Sequence, residues 1–335
     1  MSWFDNHKNL FITAFLFFVG LTVMVAIMPA YRNEKLNRPL PGALVMSEDA
    51  IAGKQVYIAN GCVACHTQQV RNVDMDKTWG QRPSIAADYA AIRRTDFWRN
   101  TATLMGTERT GPDLTNVGTR QGSIEWNLTH LYNPRILVKE SVMPSYPWMF
   151  EIKKEPAKGD VVVNVPPEFL RGVEGKVIAK KEALQLVAYL QSLKQTPLPD
   201  GTSAPEFLYK RKVADSTTEG ASVELDGTAL YATHCQACHQ ANGEGLPGAF
   251  PSLKGSKIVQ ADSVDVFIDI ILNGYNGRAA EGFGPMPAVG TNANLTPEEI
   301  TAIMNHERTS WGNDARKVTV DEVKKLIETI KSGGN

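Results

Sequence analysis

Leu10 to Met28 is an unbroken run of 19 residues without a charged side chain, interrupted only by Thr13, Gly20 and Thr22. A helix of that length spans about 28 Å at about 1.5 Å per residue, close to one bilayer core. The run is long for the apolar region of a cleaved leader, and Pro29-Ala30-Tyr31-Arg32 is a poor small-residue cleavage site, which favours an uncleaved anchor. No other stretch approaches that length, so one span is expected. Elsewhere apolar positions recur at the 3- and 4-residue spacings of half-buried helices. Leu186, Tyr189, Leu190 and Leu193 do so within Lys181–Lys194, Ile300, Ile303 and Met304 after a Thr296-Pro297-Glu298-Glu299 start, and Val323, Leu326, Ile327 and Ile330 after Thr319-Val320-Asp321-Glu322. Both starts read as capping boxes, and Trp311-Gly312-Asn313 ends the earlier element. Ser47-Glu48-Asp49-Ala50 opens another helix, leading into Gly53–Asn60. The Val-rich piece Asp160-Val161-Val162-Val163 predicts a small hairpin. The fold class is mainly α.

Polar and Pro-containing segments divide the chain. A short tail and the anchor occupy 1–31, a first soluble unit 32–195, a linker 196–221 and a second unit 222–335. The linker holds Pro197, Pro199, Gly201 and Pro205, and predicts a tether on which the second unit docks or swings. The net charge of −1 is uninformative, and no nucleic-acid partner is expected. Its distribution is uneven. Residues 32–221 carry 25 Lys+Arg against 21 Asp+Glu, whereas 222–335 carry 9 against 14. An acidic second unit would steer a basic electron donor.

The candidate chemistry lies in Cys62-Val63-Ala64-Cys65-His66, which recurs as Cys235-Gln236-Ala237-Cys238-His239. Two cysteines three apart can each form a thioether to one haem vinyl group, with the adjacent histidine beneath the iron. Zinc knuckles and redox-active cysteine pairs are the competing readings. The two pairs are 173 residues apart, far for one zinc site, and a redox pair does not need His at the next position twice. Two covalent haem c groups use all four cysteines, Cys62, Cys65, Cys235 and Cys238.

The surroundings repeat as well. Gly53 and Tyr57 precede the first box and Gly227 and Tyr231 the second; Pro112-Asp113-Leu114 answers Pro251-Ser252-Leu253; Met143-Pro144 answers Met286-Pro287. The repeat resembles class I cytochrome c, in which a Met is the second axial ligand and the Pro carbonyl orients the axial His. The expected iron ligands are His66 and Met143 at the first site, and His239 and Met286 at the second. Met75, Met105 and Met149 compete with Met143, which alone shares the Met-Pro context. His/Met ligation raises a haem's potential and fills both axial positions, so electron transfer is expected and substrate turnover is not.

The units differ in one respect. His66 to Pro112 spans 46 residues and His239 to Pro251 only 12, so the first unit carries an insertion of about 34 residues between 67 and 110. It holds Trp79, Tyr89, Phe97, Trp98 and arginines 71, 82, 93, 94, 99 and 109, and reads as a docking surface or a cap over the haem edge. His130 reads as a packed, hydrogen-bonded residue; His7, His234 and His306 receive no role.

Gly61-Cys62-Val63-Ala64-Cys65-His66-Thr67-Gln68-Gln69-Val70-Arg71, Arg109-Thr110-Gly111-Pro112-Asp113-Leu114, Leu131-Tyr132-Asn133-Pro134-Arg135, the stretch from Glu140 through Met143 to Trp148, and Ala188-Tyr189-Leu190-Gln191 go further. Together with the anchor they resemble the monohaem subunit II of cbb3-type cytochrome c oxidases. Two departures stand out: the Trp79–Met105 region reads differently, and a second class I-like domain follows. That domain's motifs are Gly243-Glu244-Gly245, Phe250-Pro251-Ser252-Leu253 and Ser310-Trp311-Gly312-Asn313. The resemblance implies a non-catalytic dihaem subunit beside a catalytic haem–copper subunit with haem b, fed by a soluble or membrane donor such as a basic cytochrome c. The equivalent subunit of a nitric oxide reductase and a free-standing tethered carrier are the alternatives. Lys8 before the span against Arg32, Lys35 and Arg38 after it would put the soluble part in the cytoplasm. Bacterial c-type haems mature outside the cytoplasmic membrane, so the expected arrangement is a single-pass inner-membrane protein with periplasmic haem domains.

Overall fold

The computed structural model describes residues 3–36, 45–90, 104–170, 172–199, 201–208 and 225–333. Phe97, Trp98, Arg93, Arg94 and Arg99 of the insertion, and the linker from 209 to 221, lie outside them. The chain divides into two compact units: Met1–Met46 with Ile85–Met105 and Thr196–Ser203, and Ser47–Ser84 with Gly106–Gln195 and Ala204–Asn335.

In the first unit the apolar run is a helix over His7–Asn33 with mean hydropathy 2.7 and no buried share, long and apolar enough to cross a membrane. Helix α1 (His7–Leu21) passes through a π stretch, Thr22–Ile27, into α2 (Met28–Leu36). Pro29 accounts for the wide turn: it has no N–H to give, and its ring crowds the carbonyl four residues back. The Met28 N–H bonds Val23 O, five residues back. The short α4 (Ala86–Ala90) carries Asp88, which accepts from the Thr196 N–H at 2.9 Å.

The second unit has two lobes. The first holds α3 (Glu48–Ala59), α5 (Val117–Arg120), α6 (Ile124–Tyr132) and α7 (Lys181–Ser192). Ser47 caps α3 by accepting from the Ala50 N–H at 3.1 Å, as its sequence predicts. The expected hairpin is instead one strand of a three-stranded antiparallel sheet. Strands β1 (Phe150–Lys153) and β2 (Val162–Val163) flank β3 (Lys176–Ala179), with Phe150 opposite Ala179 and Val162 opposite Ile178. Two valines alone expose their backbone groups; a central third strand pairs them.

The second lobe holds α8 (Gly227–His234), α9 (Gln236–His239), α10 (Asp265–Asn273), α11 (Val289–Asn292), α12 (Pro297–Thr309) and α13 (Val320–Gly333). The faces of α10, α12 and α13 meet in one core through Phe267, Ile268, Ile300, Met304, Val323 and Ile327. Each lobe crosses its box-bearing helix against its closing helix at a glycine. A Cβ on Gly53 would enter the Gln185 carbonyl of α7, and one on Gly227 the Ala302 carbonyl of α12. Only glycine admits that approach, which is the physical content of the repeated Gly/Tyr pair. Tyr57 and Tyr231 fill the adjoining space against Tyr189 and Trp311.

The second lobe is docked rather than swinging. Ile136 and Leu137 of the first lobe share a buried core with Leu246, Ala249 and Phe250 of the second. Asn292 Nδ2 donates to Thr119 O at 3.0 Å, and Asn164 Nδ2 to Gly248 O at 3.0 Å. Removing that apolar surface from water outweighs the freedom a Pro-rich linker offers.

Candidate functional site

Both boxes fold into a single tight turn, which sets Cys62 and His66 toward one cavity in the first lobe and Cys235, Cys238 and His239 toward another in the second. In the first, Gly61 at φ 67° turns the chain into the 3-10 segment Cys62–Ala64, and the His66 N–H bonds Cys62 O at 3.0 Å. His66 Nδ1 lies 2.8 Å from Pro112 O. A carbonyl only accepts, so Nδ1 carries the proton and Nε2 keeps its lone pair. Burial pushes the imidazole below its ordinary value against the opposing pull of the Pro112 bond, which keeps the ring neutral. Gly111 lies flat on the ring, where a Cβ would collide with it. The second box repeats this chemistry: the His239 N–H bonds Cys235 O at 3.0 Å, and His239 Nδ1 lies 2.9 Å from Pro251 O. Burial lowers that imidazole also.

The first cavity, about 90 Å³, is lined by Cys62, His66, Met143, Tyr57, Leu186 and Leu190 among others. Of the competing methionines, Met75 is 73% exposed and Met149 is packed in the core at 2%. The second cavity, about 350 Å³, is lined by Cys235, Cys238, His239 and Met286. A two-residue bridge holds the Met286 backbone, with Tyr275 N to Met286 O at 3.0 Å and the return bond at 2.8 Å. Cys65 is exposed and does not line the first cavity.

The buried thiols are poor nucleophiles for disulfide exchange, which needs thiolate. Burial pushes Cys62 and Cys238 up to about 11, and Cys235 well above its ordinary value. Among the described residues no three or more His, Cys, Asp or Glu side chains are grouped to hold a metal ion. A neutral histidine and a methionine on one cavity wall, with both box cysteines in the second lobe and Cys62 in the first, fit covalent haem c, Cys65 standing exposed beside the first cavity.

Several wall residues were not singled out from the sequence. Pro112, Arg120, Gln121 and Trp126 line both cavities, so the two sites share a wall. Arg120 donates to Asp113 O at 3.1 Å, and its guanidinium carbon stands 5.0 Å from the Trp79 ring centre. Burial brings it down to about 10 against the pull of Asp113. Gln121 Nε2 reaches Cys238 Sγ at 3.6 Å. His130 stacks on Trp126, and its buried Nδ1 has no hydrogen-bond partner, contrary to the expected hydrogen-bonded residue. Glu307 is a buried carboxyl on the wall of the second cavity. The insertion's Arg71 and Arg109 both bond the fully buried Asp76, at 2.9 and 2.5 Å, and brace the loop; the Arg109 side chain is mostly covered, whereas that of Arg71 stays 51% exposed. An arginine's spacing does not reveal whether it faces in or out.

The lobes and their sites are those of c-type cytochromes. The cytochrome c family matches residues 225–311. The family described as cytochrome c oxidase, mono-heme subunit/FixO, matches residues 1–169, just over half of the chain, and the chain belongs to that family. Two proteins named cytochrome c-552 from Thermus thermophilus are each 39% identical, one over 116 residues (32% of this chain, 77% of the relative) and one over 113 (31% and 85%). The cytochrome c subunit of a quinone alcohol dehydrogenase from Gluconacetobacter polyoxogenes is 29% identical over 148 residues. That stretch is 43% of this chain and 30% of the relative. The chain is a haem c electron-transfer subunit with a FixO-like portion.

Proposed function

We propose that this chain is a membrane-anchored dihaem c subunit of a cbb3-like haem–copper terminal oxidase, taking electrons from a donor and delivering them to the catalytic subunit. The observation that carries the reading is the FixO match over residues 1–169, which contains the whole His66–Pro112 site and the apolar helix. Haem c supplies one-electron iron chemistry when bound. Cys62 with Cys65 and Cys235 with Cys238 would hold it, His66 and His239 would ligate through Nε2, and Met143 and Met286 would supply thioether ligands. Pro112 and Pro251 fix the histidine tautomers, and the apolar linings exclude water, which favours the reduced form. The acidic second lobe would receive the electron and the first lobe, on the anchored side of the chain, would pass it on. Val142 and Trp148 flank Met143 and are 75% and 58% exposed, an apolar surface of the kind that a protein partner covers. Haem attachment would set both lobes on the periplasmic face of the inner membrane.

The likeness to a dehydrogenase's cytochrome subunit favours a second reading, in which the catalytic partner is a quinone-linked dehydrogenase. Purifying the chain from its native membranes with its associated complex separates the two. Co-purification of a multi-span subunit and oxygen consumption with reduced donor are expected. Nitric oxide consumption without oxygen consumption, a dehydrogenase partner, or no partner at all would overturn the oxidase reading. Intact mass of the chain should show two haem additions.

A further inference from the structure

Trp126 touches both sites. It stands on α6, and the four-residue spacing brings His130 beneath it on the same helix face. The two rings are nearly parallel, 13° apart, with centres separated by 4.5 Å. The Trp126 indole Nε1 donates to Ala237 O at 3.3 Å, and Ala237 lies between the two cysteines of the second box. The ring also packs with Cys238 against the core shared by the lobes. Trp126 lines both cavities, whereas His130 lines the first.

The other residues of the shared wall are poorer bridges. Pro112 is a saturated ring whose carbonyl is engaged by His66. Arg120 is a cation held by Asp113 O and the Trp79 face. Gln121 reaches Cys238 Sγ through an aliphatic stem. Among the described residues Trp126 alone offers an aromatic π system to both sites, and the stack on His130 carries that system further along the first cavity. The stack places no charge between the sites. Burial, with a smaller contribution from His66, holds the His130 imidazole down to about 4, so it is neutral at ordinary pH.

We propose that the Trp126–His130 stack is the route by which electrons cross between the second-lobe site and the first-lobe site. The inference rests on the dihaem reading above. One electron leaves ferrous iron at the His239 site and arrives at ferric iron at the His66 site. No bond breaks, no proton moves, and neither ring is oxidised. Tunnelling decays steeply across gaps between atoms, and a stacked pair hydrogen-bonded to the box backbone leaves fewer such gaps than a saturated side chain.

The test uses the full-length holoprotein. Flash photoreduction with ruthenium tris(bipyridine) and a sacrificial donor, at less than one electron per chain, starts the redistribution. The relaxation phase whose rate does not depend on protein concentration reports the crossing. Trp126→Leu is expected to slow that phase several-fold, Trp126→Phe to fall between Leu and the native residue, and Ile124→Ala, an exposed position of the same helix that lines neither cavity, to leave it unchanged. Both midpoint potentials and the thermal unfolding midpoint separate this role from a structural one, and only the rate should move in Trp126→Phe. His130→Leu tests the stack from its other end should Trp126→Leu fail to accumulate, and it too should slow the phase. A native rate in Trp126→Phe and His130→Leu, or an equal slowing in Ile124→Ala, overturns the proposal. A single haem by intact mass refutes the dihaem reading on which the proposal stands, and does so independently of any rate.

Discussion

Glu307 shows how much one buried side chain can hide. It occupies the third-last position of α12, 4% exposed, and the Cys235 thiol donates to its carboxylate. Tyr231 of α8 also feels its charge. Burial pushes Glu307 up to about 8, and the thiol bond opposes that rise. A thioether has no proton to donate, so haem attachment at Cys235 removes the opposing bond. The folded carboxyl therefore holds its proton over a range where the unfolded one, near 4.5, has lost it. Its contribution to stability is fully present below pH 4.5 and is lost as pH rises to about 8. The slope is at most about 1.4 kcal/mol per pH unit. Thermal unfolding of the holoprotein across that window should show a falling midpoint in the native chain and a flatter profile in Glu307→Gln. Equal profiles would mean that the carboxyl ionises freely when folded.

At the scale of elements, two helix starts with the same signature fold differently. At α12 the box is complete: Glu299 N donates to Thr296 Oγ1 at 3.2 Å, and Thr296 N to Glu299 Oε2 at 2.7 Å. At α13 only half forms. Glu322 N donates to Thr319 Oγ1 at 3.3 Å, but the Glu322 carboxylate is taken by Arg316 at 2.6 and 3.0 Å. A guanidinium offers two charge-assisted bonds where a backbone N–H offers one neutral donor. Thr296→Ala should therefore cost about 1–2 kcal/mol and Thr319→Ala about 0.5 kcal/mol, read as shifts of the denaturant midpoint at constant slope. The sequence marked both boundaries correctly. It did not hold the Arg316 contact, because the competing partner comes from a loop that packing places there.

The two lobes of the second unit are joined by a core that neither lobe owns. Leu137 is 2% exposed and packs with Ala249 and Phe250 across the lobe boundary. Truncating it leaves a cavity on both sides of that boundary. Leu137→Ala should cost about 2–4 kcal/mol and lower the unfolding of both lobes together. Calorimetry of the holoprotein should show one transition moved as a unit. A second-lobe transition that stays in place while the first-lobe one falls would show the lobes to be energetically independent. A fixed geometry also gives the sites one constant separation, so the crossing between them needs no encounter step.

The sequence by itself determined much that is local: the apolar helix, the helix boundaries, the two boxes, and the glycines that let helices cross. Hydrophobic periodicity, capping and the fixed spacing of Cys and His act over a few residues, and their signature survives in the chain order. The pairing of each box with a distant Pro was also legible, because the repeat displayed it twice. Only the tertiary structure decided that the lobes dock, that Asn292 meets Thr119 across 173 positions, and that Trp126 and His130 stand between the sites. In the sequence His130 reads as a packed, hydrogen-bonded residue, and Trp126 is not singled out. The same burial that hides a core residue also forms a wall between two sites, and the difference lies only in what packs on the other side.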